Sequence, residues 1–400
     1  MGLKVLGINY GGHDTSACIT NNGKLLAACE QERYDYIKHS RAFPIDAIND
    51  CLKISKLKID DIDIISFAAI PKLIVKERYE KLQKRFPERK KNIKVDKKKL
   101  NEFINMESFI RKRLGFKKKI DFNLHHLCHL YSTFGPSGFK KALVVSYDGI
   151  GEIETTLFGI GEKNSIRIIN EKNKFPDSLG LFYSAITYFL GWKHHCDEGI
   201  IMGLAPYGNP NLKLKDSNKS YIDFFREMVF THPNNPLKIN INLDWIDYHK
   251  KYDTWLSKKF FDKFGKKRNE KEKITQHHKN IAAALQQRLE EIVIKQIKLL
   301  KKKYKANYLC IAGGVGLNCS LNGSIESKKI FKEIFVQPAS GDAGVAYGAC
   351  LVSTKKYYKN LKLKKNWNFY SGSKLNKGQL IKELKNKKLI VKKYGNKIFD

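Results

Sequence analysis

The stretch Lys4-Val5-Leu6-Gly7-Ile8-Asn9-Tyr10-Gly11-Gly12-His13-Asp14-Thr15-Ser16-Ala17-Cys18-Ile19-Thr20 decides the fold. Two apolar runs, Lys4 to Asn9 and Ser16 to Thr20, flank a polar, glycine-bearing tip, which reads as strand, turn, strand. Asn22-Gly23 then marks a type I′ hairpin before a third strand, Leu25 to Cys29. A similar unit recurs at residues 142–169. Ala142 to Ser146 forms a strand, Asp148-Gly149-Ile150-Gly151-Glu152 the tip, Thr155 to Ile160 the returning strand, and Ile166 to Ile169 a further one. This duplication is the main architectural clue and predicts an α/β chain in two lobes. A third glycine-rich element, Tyr308 to Asn318, is an apolar strand that breaks at Gly313-Gly314, with a helix expected from near Val315.

Such a duplication resembles the two-lobed actin, hexokinase and Hsp70-type ATPase fold. There each lobe offers a β-hairpin tip to nucleotide phosphates across a cleft, and glycines let backbone N–H groups approach the phosphate oxygens.

A second signal is His125-His126-Leu127-Cys128-His129. His125 and His129 stand four apart, so on a helix their imidazoles share a face and can grip one metal ion. Asp148 sits where an apolar run stops at a glycine, which presents its carboxylate at the mouth of a strand. Two nitrogens and a hard oxygen suit Fe(II), Mn or Zn, and spacing does not choose among them.

Four hundred residues exceed a usual single core. No stretch approaches the roughly 18 uninterrupted apolar residues of a membrane span, and the N-terminus lacks the long apolar run of a signal peptide. The eight cysteines are scattered without a CxxC pair, which predicts reduced thiols and a cytoplasmic setting. The net charge of +35 comes mostly from lysines spread along the whole chain, with no RNA-reading motif and no interleaved aromatics. A Lys-rich compositional habit explains it better than a nucleic-acid surface, and attraction of anionic small substrates follows either way. Ile281 to Leu300 reads as a long, partly buried helix. Residues 205–275, with Pro206, Pro210, Pro233 and Pro236, read as a less regular insertion, and residues 354–368 as a Lys-rich linker.

Seven segments together resemble the NodU/CmcH family of O-carbamoyltransferases, which includes tobramycin O-carbamoyltransferase. They are GINYGGHDTSA (7–17), HHLCH (125–129), SYDGIGE (146–152), SLGLFYSAITYFLGW (178–192), MGLAPYG (202–208), AGGVGLNCSLNG (312–323) and PASGDAGVAYGA (338–349), in family order. The resemblance implies a reaction in two parts. Carbamoyl phosphate and ATP yield carbamoyl-adenylate, and the carbamoyl group then passes to a hydroxyl of a saccharide or natural product. It further implies metal ligation by His125, His129, Asp148 and Asp342. Gly11 and Gly12, Gly149 and Gly151, and Gly313, Gly314 and Asn318 would line the nucleotide. His13 or Asp14, at the first tip, would orient or deprotonate the acceptor hydroxyl. His126 would point away from the ligands; Glu152 and Glu198 are as suited to structural hydrogen bonds as to ligand contact. His194 and His195 receive no chemistry, and His277 and His278 would cap the long helix or lie on its solvated side.

The resemblance divides the chain into a first lobe (1–141), a second lobe (142–353), the linker, and the start of a YrdC-like domain (369–400). Family members usually carry a lysine just before MGLA, where this chain has Ile200. They also continue into a full YrdC-like domain that binds carbamoyl phosphate, of which residues 369–400 resemble only the beginning. A separate polypeptide supplying that domain, a fragment or decaying copy, and a chain using an adenylate made elsewhere would each account for this. A transferase passing threonylcarbamoyl to tRNA and a non-catalytic nucleotide-binding relic are the other readings of the same core.

Overall fold

The computed structural model describes residues 2–250, 254–365, 370–373 and 377–388. Its first sheet holds β1 (Lys4–Asn9), β2 (Ser16–Asn21), β3 (Lys24–Glu30), β4 (Ile64–Phe67) and β5 (Lys119–Phe122) in the order β3-β2-β1-β4-β5. The meander β1-β2-β3 is antiparallel, whereas β4 and β5 run parallel to β1. The second sheet holds β6 (Lys141–Tyr147), β7 (Glu154–Glu162), β8 (Ser165–Lys174), β11 (Tyr308–Ala312) and β12 (Glu333–Val336). Its order, β8-β7-β6-β11-β12, repeats the first sheet strand for strand and direction for direction. The duplication read from the two glycine tips is therefore a duplication of whole sheets, the arrangement of the actin and hexokinase type.

The β1-β2-β3 turns form where the sequence placed them. Asn22 and Gly23 both take positive φ, 50° and 81°, as the I′ turn requires. One boundary differs. The helix expected from near Val315 begins at Cys319, after a 3-10 turn over Gly314–Leu317. The side chain of Asn318 accepts the Leu321 N–H at 2.8 Å and so starts the helix four residues late. Residues 205–275 contain the helices Tyr221–Met228 and Lys258–Phe264 and the hairpin of β9 (Val229–His232) and β10 (Asn235–Ile241). They bury Phe225, Trp245, Ile246 and Phe260 in the core of the second lobe. The long helix runs from Gln276 to Tyr304. Of the residues assigned to a YrdC-like start, only 370–373 and 377–388 fall among the described residues, with a helix at Lys377–Asn386.

Between the sheets lie two helices that cross over. The helix His125–Ser137 follows β5 of the first sheet but packs on β6, β7 and β11 of the second. The helix Val345–Tyr357 follows β12 of the second sheet but packs on β1, β2 and β4 of the first. The two helices pack on each other at Gly348, where a Cβ would sit 1.8 Å from the Cys128 carbonyl oxygen. Gly7 serves the same purpose in β1, where a Cβ would meet the Ala346 carbonyl oxygen at 2.0 Å. Both contacts are backbone against backbone, so no rotamer change relieves them. Gly348→Ala should therefore destabilise the protein by about 2 kcal/mol or more. Gly323→Ala, in a helix where a new Cβ meets nothing within 4 Å, should stabilise it by about 0.5–1 kcal/mol. Urea unfolding of the two variants checks the contrast, and equal effects would contradict the close approach.

Candidate active site at the lobe interface

The crossing helices bring four side chains together. His125 and His129 lie on the first turns of their helix. Asp148 stands one residue past the end of β6, and Asp342 opens the 3-10 turn that leads into the helix Val345–Tyr357. The His125 and His129 Nε2 atoms are 3.1 Å apart. From His125 Nε2, Asp342 Oδ1 is 3.3 Å and Asp148 Oδ2 3.5 Å away; from His129 Nε2 the same oxygens are at 3.5 and 3.8 Å. Four donors each about 2.0–2.2 Å from one cation would be separated by about 3–3.5 Å. The set fits a divalent ion.

The surroundings prepare these donors. His125 Nδ1 lies 3.2 Å from the Ala68 carbonyl oxygen, a pairing that places a proton on Nδ1 and turns Nε2 toward the cluster. Asp148 Oδ1 accepts the Gly314 N–H at 2.7 Å, which turns Oδ2 toward the imidazoles. Glu152, buried, accepts the His125 N–H at 3.1 Å and the Ile70 N–H at 2.9 Å. It thereby supplies a carboxylate at the start of a helix that has no side-chain cap of its own. Burial opposes a charged imidazole at His125, yet Asp342 and Asp148 outweigh it and hold the group well above the ordinary histidine range. His129 is raised by the same balance. Burial would raise the Asp148 carboxyl, but the bonds from His125 and His129 bring it well below its usual value. The cluster thus holds protons where a cation would serve.

Beside it stands the first tip. A Cβ on Gly12 would lie 3.6 Å from Asp342 Oδ2. Asp14, in the left-handed region at φ 54°, accepts from His13 Nδ1 at 2.8 Å and from His39 Nδ1 at 2.7 Å. Burial would raise its pKa, but these two bonds bring it down to about 2. Asp14 is therefore a carboxylate that orients His13, whose Nε2 remains for other work. His39, which sequence reasoning did not single out, completes this arrangement from a loop whose approach depends on tertiary folding.

The remaining candidates divide by what they already hold. Gly11, Gly12, Gly149, Gly151, Gly314 and Asn318 line the cleft. The Gly151 N–H donates to Glu154 O at 2.7 Å and closes its own tip, and the Gly314 N–H is the one on Asp148. Gly313, at φ 88°, has the Tyr147 carbonyl oxygen 2.1 Å from where a Cβ would be, which seats β11 against β6. The Asn318 amide is paired with Gln286 at 2.8 and 3.1 Å. His126 turns away, between Ser146 Oγ and Glu154 O at 2.9 Å each; burial lowers its pKa to about 4. Glu198 accepts from Ser184 Oγ and the His195 N–H, both at 2.6 Å. His278 caps the long helix through the Thr275 N–H, while His277 joins Tyr221 Oη to Phe264 O. His194 and His195 line the cleft after all, with the His195 ring stacked 5.9 Å from that of His13. The cleft has a volume of about 790 Å³.

All eight cysteines are free thiols, and no helix among the described residues is long and apolar enough to cross a membrane. Residues 4–351 match the family model described as Carbamoyltransferase N-terminus. An uncharacterised protein of Synechocystis sp., sll1178, is 34% identical over 92% of this chain and 60% of its own length. Nodulation protein NolNO of Sinorhizobium fredii is 30% identical over 86% of this chain and 46% of its own. The chain thus spans about half of the length of these relatives. The solved structure of T. kodakarensis HypF aligns with a TM-score of 0.48 at 9% identity, covering 90% of this chain and 48% of that one. By the match over residues 4–351, the chain belongs to the carbamoyltransferase family, of which it carries the N-terminal region.

Proposed function

We propose that this chain is the transfer half of an ATP- and divalent-metal-dependent O-carbamoyltransferase. The observation that carries the reading is the convergence of His125, His129, Asp148 and Asp342 within 4.8 Å of one another, beside the His13–Asp14 pair. In this reading carbamoyl phosphate loses phosphate to water, and the resulting carbamate attacks the α-phosphorus of ATP and expels pyrophosphate. The acceptor oxygen then attacks the carbamoyl carbon and expels AMP. A cation held by the four ligands, Fe(II) or alternatively Mn or Zn, supplies charge stabilisation for the nucleotide phosphates. Burial would lower the His13 pKa, but the Asp14 bond and the Asp342 charge raise it to about 9, so in this reading it is the neutral fraction of His13, growing as the pH rises, that takes the acceptor proton at Nε2, with Asp14 the positioning carboxylate. Gly11, Gly12, Gly149, Gly151, Gly314 and Asn318, backed by Gly313, form the nucleotide's side of the cleft. The acceptor is a small hydroxyl compound, a saccharide or natural product of the tobramycin type, in a cytoplasmic setting. Activation of carbamoyl phosphate draws on a YrdC-like domain, in this polypeptide or another.

Equilibrium dialysis against Mn(II) should show a single site, weakened at least tenfold by His129→Ala and by Asp342→Ala. Because the raised pKa values of His125 and His129 make the ion compete with protons, wild-type affinity should rise with pH across neutrality. Full affinity in both variants would remove the cation from the mechanism.

With ATP, carbamoyl phosphate and a YrdC-like domain supplied in trans, carbamoyl transfer to an added acceptor should appear. Robust turnover by residues 1–400 alone would contradict this division of labour. His13→Ala should lower the transfer rate by about 10²–10⁴-fold while leaving Mn(II) binding unchanged, and an unaltered rate would discard the base assignment.

A further inference from the structure

The first tip carries a second set of metal-binding atoms. His13, Asp14 and His39 each offer one, and the three lie within 4.8 Å of one another. Two loops bring them together. Asn9 donates through Nδ2 to the carbonyls of His13 and Asp14, at 3.4 and 2.9 Å. The Thr15 N–H donates to Ser40 O at 3.2 Å, which ties the tip to the loop bearing His39. Glu32 accepts the His39 N–H at 2.8 Å and adds a carboxylate behind the ring. Both imidazoles turn Nδ1 to Asp14, at 2.8 and 2.7 Å. The side chains of the four-residue cluster are at most 14% exposed, whereas His13, Asp14 and His39 keep 33%, 18% and 29%. All three line the cleft, so an ion can reach them from solvent.

We propose that His13, Asp14 and His39 form a second metal site, selective for Zn(II), whose occupation switches His13 off. The regulatory half of the inference rests on the transfer reading given above; the site itself does not. Two imidazole nitrogens and one carboxylate make a three-ligand set with a position left open to the cleft. Zn(II) stands well above Mn(II) in affinity for such a set, so Mn(II) is left to the four-residue cluster. The gaps of 2.7 and 2.8 Å are those of shared protons. Donors about 2.0–2.2 Å from one cation stand only a few tenths of an ångström further apart. Entry of the ion displaces the proton at Nδ1 of each ring, and both protons leave to solvent. His13 then keeps its remaining proton at Nε2, the atom that must be bare to take the acceptor proton. A zinc-loaded site therefore holds this imidazole in the wrong tautomer for transfer and leaves the nucleotide side of the cleft untouched.

Equilibrium dialysis of the full chain against Zn(II) should show two ions per chain, against one for Mn(II). His39→Gln and Asp14→Asn should each weaken the second zinc site by about tenfold or more, with unchanged Mn(II) binding as the check that the fold is intact. His129→Ala should do the reverse, weakening the other site and sparing this one. A single zinc in the wild type, or undiminished binding of two in either tip variant, would overturn the proposal. The switch is read in the transfer assay, with Mn(II) and a YrdC-like domain present. Zinc at the concentration that fills the second site should lower kcat by about 10²–10⁴-fold, leave the KM for ATP unchanged, and spare His39→Gln. An unaltered kcat, or equal inhibition of His39→Gln, would overturn the switch. Dialysis involves no chemistry, so two zinc ions in a chain that never transfers a carbamoyl group would sink the transfer reading, and the switch with it, while the site stands.

Discussion

Everything at the cleft depends on the crossing of two helices between the sheets. Each leaves one lobe and packs on the other, and they meet so closely that Gly348 of one lies against the Cys128 carbonyl of the other. One helix carries His125 and His129, and Asp342 opens the turn that feeds the second. A wider separation would carry Asp342 away from the imidazoles, and the cluster would lose a carboxylate that balances their charge. Two backbone-to-backbone contacts thus fix the geometry of four side chains that lie far apart in the chain. Core packing at near-crystalline density makes such a contact discrete and not adjustable.

Much of this was legible in the chain. Strand, glycine tip, strand is a pattern of period two interrupted by turn residues, and it depends on local forces, so its repetition announced the paired sheets. The spacing of His125 and His129 is likewise local, because one turn of helix puts both rings on one face. Asp342 was different: in Gly341-Asp342-Ala343-Gly344 it has the appearance of a turn residue, and only the family resemblance marked it out. Asn318 carries a second task that its motif did not announce: it lines the cleft, and it also caps a helix and pairs its amide with Gln286 from the long helix.

What could not be read is what tertiary structure alone assembles. His39 reaches Asp14 across a loop, and His195 reaches His13 from the other lobe. Arg89 of the first lobe reaches the carbonyls of Tyr248 and His249, and none of the three belongs to a motif. Local periodicity carries no information about such meetings, which arise from the packing of the insertion against the first lobe. The lysine runs, by contrast, drew attention in the sequence but supply none of the four ligands.

Glu152 ties these parts into one mechanical unit. A single buried carboxylate belonging to the second hairpin grips the peptide after β4 and the first peptide of the histidine helix. The carbonyl of Ala68, two residues from that first grip, holds the imidazole of His125. Swinging the lobes apart would break these grips and release the ring at the same stroke. One carboxylate thereby couples the closure of the lobes to the geometry of the four-residue cluster.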